Sequence, residues 1–156
     1  LIRAGTDWDV IEENRRRMIE ECPDVYFEIT PTVSIMNVYH LPDFHKEWID
    51  KGLLEPQNVR MNILTYPTEY RIQIIPPNER KKFIDKYEEH IKWIDDNFGD
   101  GAAKRGFESI LDFLQQENYE NLIPDFIDRN TPLDKLRGES LYQVAPELEF
   151  FKHYEN

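Results

Sequence analysis

The residues best suited to chemistry are small and polar and fall at alternate positions. They are Glu28, Thr30, Thr32 and Ser34, with Asn37 just beyond and Arg60 and Asn62 further along. A period of two puts such a set on one face of a β-strand, with Val25, Phe27, Ile29, Val33 and Ile35 on the other. Hydroxyls, amides and a guanidinium can hold a ribose, a carboxylate or a peptide-like group through directed hydrogen bonds. In a parallel sheet whose polar face points into a lumen, these residues would line a ligand cavity near the strands' carboxyl ends. The same alternation also describes the wet face of a small sheet, and spacing alone does not separate the two readings.

Other chemistries find less support. His40 and His45 flank a proline turn outside any metal-ligand spacing such as HExxH, and read as surface or structural histidines. His90, beside Glu88 and Glu89 on a highly charged stretch, reads as part of a solvated helix face. No GxGxxG, GxxxxGK[ST] or GxSxG occurs, so dinucleotide binding, P-loop chemistry and self-contained nucleophilic catalysis lack a motif. The one cysteine, Cys22, excludes an intrachain disulfide and any all-cysteine metal or cluster site made by this chain alone, and points to a reducing cytoplasm.

Composition sets the outer bounds. With 156 residues, 40% of them hydrophobic, the chain can bury a core of its own. A formal charge of -12 would repel nucleic acid and anionic membrane surfaces. No apolar run reaches the ~20 residues that span a bilayer.

Several elements must position the polar set. Thr6 and Asp9 resemble a capping box that opens a helix over 8–22, with Trp8, Ile11, Met18, Ile19 and Cys22 near one stripe and Pro23 as its stop. The strand containing Thr30 follows, then a short helix in "LPDFHKEWIDKG", then a second strand in "NVRMNILTYP". Helix alternating with strand predicts an α/β fold with parallel strands and crossover helices. "YRIQII" predicts a third strand piece. A long helix then runs to about Phe98, striped by Phe83, Ile84, Tyr87, Ile91 and Ile94. Another helix carries Ala103, Phe107, Ile110, Leu111 and Leu114, and the remainder predicts short helices punctuated by Pro124, Pro132 and Pro146. So few parallel strands cannot make a covered sheet, which leads to the expectation that a preceding segment supplies the others.

The stretches "IRAGTDWDVIEENRRRM", "FEITPTVSIMNVYHLPDF", "NVRMNILTYPTEYRIQIIPP" and "LDKLRGESLYQVAPEL" together resemble the carboxyl-terminal part of radical S-adenosylmethionine proteins of the twitch-domain kind. That resemblance spans about Ile2 to Leu148. It implies the last two strands of a partial (β/α)6 TIM-like barrel in residues 1–76, followed by a helical extension in 77–156. In that family a CxxxCxxC loop holds a [4Fe-4S] cluster, and S-adenosylmethionine on its fourth iron is cleaved to a 5′-deoxyadenosyl radical. This chain has no CxxxCxxC. The resemblance therefore implies that cluster ligands lie in an amino-terminal half-barrel, in the same chain or a split partner. It places Thr30, Thr32, Ser34, Asn37 and Asn62 near S-adenosylmethionine and Glu28 and Arg60 on the substrate cavity.

The expected function is thus the carboxyl-terminal segment of a cytoplasmic radical S-adenosylmethionine enzyme, not catalytic by itself and acting on a substrate its sequence does not name. The alternative expectation is a small acidic α/β protein-interaction module without catalysis, its partner met by aromatic-bearing helices.

Overall fold

A computed structural model describes residues 6–155. The opening residues of the "IRAGTDWDVIEENRRRM" stretch, up to Gly5, lie outside that range, as does residue 156. Helix α1 spans Trp8–Glu21. Its cap is Asp7 rather than Thr6: the Asp7 carboxylate accepts from the backbone N–H of Asp9 and Val10. None of α1's residues is buried. It is held at its edges, by Trp8 against Phe44 and Trp48 and by Arg15, which lies over the Phe27 ring and donates to Leu53 O at 2.8 Å.

Strands β1 (Thr32–Val33) and β2 (Asn62–Ile63) run parallel, and α2 (Leu41–Asp50) crosses between them. Pro42 in the first turn of α2 loses no intrahelical bond, and Gly52 just past its end takes a φ of 68°. An isolated bridge, Ile29 to Val59, keeps the same register as Thr32 to Asn62. The long helix α3 (Pro77–Phe98) packs against α4 (Ala102–Gln115). Helix α5 (Ile123–Arg137) continues through Pro132, which was expected to break it. A single turn α6 (Leu141–Val144) and a 3-10 stretch, Pro146–Tyr154, close the described chain.

This architecture corrects the expected barrel fragment. Helical conformations hold 65% of the structure, and the two short strands form the whole of its sheet among the described residues. The piece "YRIQII" makes no strand; it forms parts of two 3-10 turns, Thr68–Tyr70 and Ile72–Ile74. The physical reason lies in how the apolar residues are satisfied. Ile72, Ile74 and Ile75 are all fully buried, so a sheet face that exposes every second side chain would waste them. They join one continuous core with Val33 and Val59, Phe83, Tyr87 and Ile94 of α3, Phe107 and Ile110 of α4, and Phe126 and Phe151 from the carboxyl-terminal end. Helices therefore cover one face of the strand pair where a barrel would require more strands. The result is a mostly helical protein built on one β-α-β unit.

Candidate functional site

Between the paired strands Arg60 N–H donates to Ile29 O at 2.9 Å, Asn62 N–H to Pro31 O at 3.1 Å and Leu64 N–H to Val33 O at 2.9 Å. This ladder sends alternate side chains to opposite faces. Val33 and Val59 point into the core, with Ile29, Met61 and Ile63 packed against it. Met61 lies against Gly106 of α4, where an added Cβ would sit 2.9 Å from its Cγ. Thr30, Thr32, Arg60 and Asn62 occupy the other, exposed face.

The polar set divides. Thr32 stands opposite Asn62 in register. Asn37 turns back on the strand end: its Oδ1 accepts from Ser34 N–H at 2.9 Å and its Nδ2 donates to Thr32 O at 2.9 Å. Both halves of that amide thus shape the loop after β1. Glu28 and Arg60 pair at 3.3 Å and border a separate hollow of about 250 Å3 beside Arg105, Gly106 and Ser109 of α4. Tyr26 also donates to Glu28 at 3.0 Å, which raises the tyrosine's pKa above its ordinary value.

Ser34 belongs to a different place. Beyond the carboxyl ends of β1 and β2, Ser34, Met36, Leu64, Pro67 and Tyr70 meet Asn130, Leu133, Asp134 and Arg137 of α5 around a cavity of about 270 Å3. The four α5 residues are spaced i, i+3, i+4 and i+7, one face of a helix. Arg129 pairs with Glu69 at 2.5 Å and pins that helix to the turn after β2. Within the cavity wall Tyr70 donates to Asn130 Oδ1 at 3.2 Å, while Asn130 Nδ2 donates to Phe126 O at 2.7 Å. The Asp134 carboxylate accepts from Leu141 N–H at 2.7 Å. Ser34 Oγ accepts from Met36 N–H at 3.3 Å, which leaves the hydroxyl hydrogen available to a ligand.

A larger hollow of about 440 Å3 lies between the end of α1 and the entry to the strands. In α/β units, however, ligands gather outside the carboxyl ends of the strands, because that is where the loops converge. The strand-end cavity is the better candidate on that ground. Its lining combines apolar side chains with a hydroxyl, an amide, a carboxylate and a guanidinium, a mixture suited to a small ligand with both apolar and hydrogen-bonding parts.

Of the seven polar residues expected at a site, Ser34 lines this cavity and the other six do not, and the α5 residues that border it were not among those expected. The signal was present in the i, i+3, i+4, i+7 spacing of Asn130, Leu133, Asp134 and Arg137, concealed by Pro132. Sequence reasoning also misjudged His90, which is buried rather than solvated: it lies seven residues after Phe83 on the stripe shared with Tyr87 and Ile94.

Among the described residues no group of three or more histidine, cysteine, aspartate or glutamate side chains could hold a metal ion, and Cys22 is an exposed thiol. No helix among them is long and apolar enough to cross a membrane. No protein-family model, curated protein or solved structure matches the chain.

Proposed function

We propose that the chain supplies one wall of the cofactor and substrate cavity of a cytoplasmic radical S-adenosylmethionine protein, with the cluster-binding cysteines outside these 156 residues. One observation carries the reading: the cavity of about 270 Å3 at the carboxyl ends of the parallel strands, bordered by Ser34 and by Met36 of the "SIMNVYHLP" loop. Its volume is slightly below the roughly 300–1,000 Å3 of complete small-molecule sites, as suits a wall that shares its ligand with another segment. The motif resemblance supports the same assignment.

The residues do not fit an iron-sulfur cluster, since one exposed thiol cannot replace the thiolates such a cluster needs. They do fit a nucleoside or amino-acid portion of S-adenosylmethionine. Ser34 and Asn130 offer hydrogen bonds, Asp134 an anionic oxygen, and Met36, Leu64 and Leu133 an apolar bed. When bound beside a cluster, S-adenosylmethionine supplies the radical chemistry; the role of these side chains is to orient it and exclude water.

The test is a methyl NMR titration of the chain with S-adenosylmethionine. Saturable shifts of the Met36, Leu64 and Leu133 methyl resonances are expected. A spectrum unchanged through millimolar ligand would remove the assignment.

A second reading, an interaction module, is favoured by a different observation: Trp8, Val10, Met18, Ile19, Val25 and Tyr26 are exposed around α1 and the segment after it. Of these, Trp8, Met18 and Ile19 fall toward one side of α1, and an exposed apolar face of that kind suits contact with another polypeptide. Shifts confined to those residues on adding a partner, with the cavity methyls silent to S-adenosylmethionine, would favour this reading.

A further inference from the structure

His45 in the middle of α2 and His90 in the middle of α3 are 1% and 6% exposed. His45 Nδ1 lies 3.0 Å from His90 Nε2, and His45 Nε2 lies 2.9 Å from Pro56 O. A carbonyl can only accept, so the His45 proton sits on Nε2, leaving Nδ1 as an acceptor. His90 must then donate through Nε2. The relay runs from His90 to His45 to the Pro56 carbonyl, and it ties α3 to the crossover helix and to the turn that leads into β2.

The rings are enclosed by aromatics. Trp93 stacks on His90 at 5.3 Å, and Phe107 of α4 stands 4.5 Å from His90 and 5.1 Å from His45. Charges approach only at the rim: Asp43 and Lys46 from α2, Lys86 and Glu89 from α3. Two of these, Lys86 and Asp43, pair with each other, and Lys46 lies over the Trp93 ring. The turn contributes the neutral Pro56 carbonyl and α4 the neutral Phe107 ring, so among the described residues no carboxylate is hydrogen-bonded to either imidazole, and Asp43 favours a charged His90 only through space, against the larger effects of burial and His45.

We propose that the His45–His90 pair is an acid-sensitive latch, which clamps α2 to α3 while both rings are neutral and releases α2 when opening lets them take up protons. Burial lowers the pKa of both rings. For His90, desolvation is the larger cause and the neighbouring His45 the next, together bringing it to about 3. The opened chain binds protons near the ordinary histidine value of about 6.5. The clamp is therefore complete above about pH 6.5 and weakens as pH falls from there toward the folded values, because the open state binds more protons. Each histidine that charges on opening makes the opening equilibrium about tenfold more favourable per pH unit. Since α2 joins the two strands that carry the candidate cavity, its release loosens the site.

Amide hydrogen exchange of the whole chain between pH 5.0 and 7.5, corrected for intrinsic exchange, tests the latch. Protection of the Phe44–Trp48 amides should fall about ten- to a hundredfold per pH unit below 6.5. In His90→Gln, which keeps an amide donor but cannot titrate, the slope should be shallower by about tenfold per unit. Comparison of the two subtracts every other titrating group. Equal slopes would overturn the proposal. If His90→Gln does not fold, the imidazole 15N resonances of the unmodified chain decide: both rings neutral at pH 5 supports the latch, and titration of either ring near pH 6.5 in the folded chain overturns it.

Discussion

Arg80, near the start of α3, donates through its guanidinium to the carbonyl oxygen of Leu114, in the last turn of α4, at 3.0 Å. The same side chain reaches Ile75 O at 2.9 Å, Gln73 O at 2.8 Å and Gln116 O at 2.8 Å, and it is 7% exposed. These are the carbonyls that the end of α4 and the 3-10 turn before α3 leave without intrahelical partners. A cation there is favoured by the negative end of the helix dipole, although burial lowers its pKa from the usual arginine value.

Arg80→Met should therefore cost more than a lost surface charge. It strands several buried carbonyls at once, and the expected loss is about 3 kcal/mol of unfolding free energy. Arg80→Lys should recover a part of this, because one ammonium cannot reach the whole fork of acceptors. Urea unfolding of the three chains, compared at equal slope, measures the difference.

The amino end of α4 makes a matched pair of glycine predictions. Gln57 Oε1 accepts from Ala103 N–H at 3.0 Å, and a Cβ on Gly101 would lie 2.1 Å from that oxygen. Gly101→Ala must expel Gln57 and uncap the helix, for a loss of about 1 kcal/mol. Gly106→Ala would bring its Cβ to 2.9 Å from Met61 Cγ, near the strand backbone, and its gain in helix propensity of about 1 kcal/mol should offset part of the cost of shifting that side chain, leaving a smaller loss than Gly101→Ala. Thermal melts of both variants would rank them; equal destabilisation would refute the capping role of Gln57.

Tyr87 is fully buried and donates to Val38 O at 2.7 Å, joining α3 to the loop before α2. Burial pushes its pKa well above the usual tyrosine value. The folded chain holds the phenol protonated while the unfolded chain loses the proton above about pH 10, so this stabilisation is complete below pH 10 and declines as pH rises beyond it. Tyr87→Phe should cost about 1 kcal/mol at neutral pH and flatten the alkaline fall in stability. Denaturation measured at pH 8 and at pH 10.5 gives both numbers.

Filling the strand-end cavity offers a direct check on the proposed site. Leu133 lines it from α5 and is half-buried, so Leu133→Trp has room to enter without opening the core. Far-ultraviolet circular dichroism should be unchanged while the S-adenosylmethionine-dependent methyl shifts are reduced at least tenfold in affinity. Undiminished binding in that variant would place the ligand elsewhere.

The sequence by itself determined the local grammar of this protein. Alternation announced two strands, of which the pairing keeps only Ile29 with Val59, Thr32–Val33 and Asn62–Ile63 while Val25 stays exposed, and the span between them, with Pro42 and Gly52 as its punctuation, announced the crossover helix. Stripes such as Phe83, Tyr87 and Ile94 announced the buried side of α3. These features are legible because backbone periodicity decides which side chains share a face, whatever that face later meets. Only the tertiary structure decided the rest. It buried His90 against His45, forty-five residues away. It placed Arg80 over the end of α4, and it closed the cavity beyond Ser34 with α5. It also turned "YRIQII" away from the sheet, because a core already lined by helices could bury all of its isoleucines at once. Periodicity identifies a face but carries no record of its partner; that choice belongs to long-range packing, where volume, hydrogen-bond satisfaction and burial are decided together.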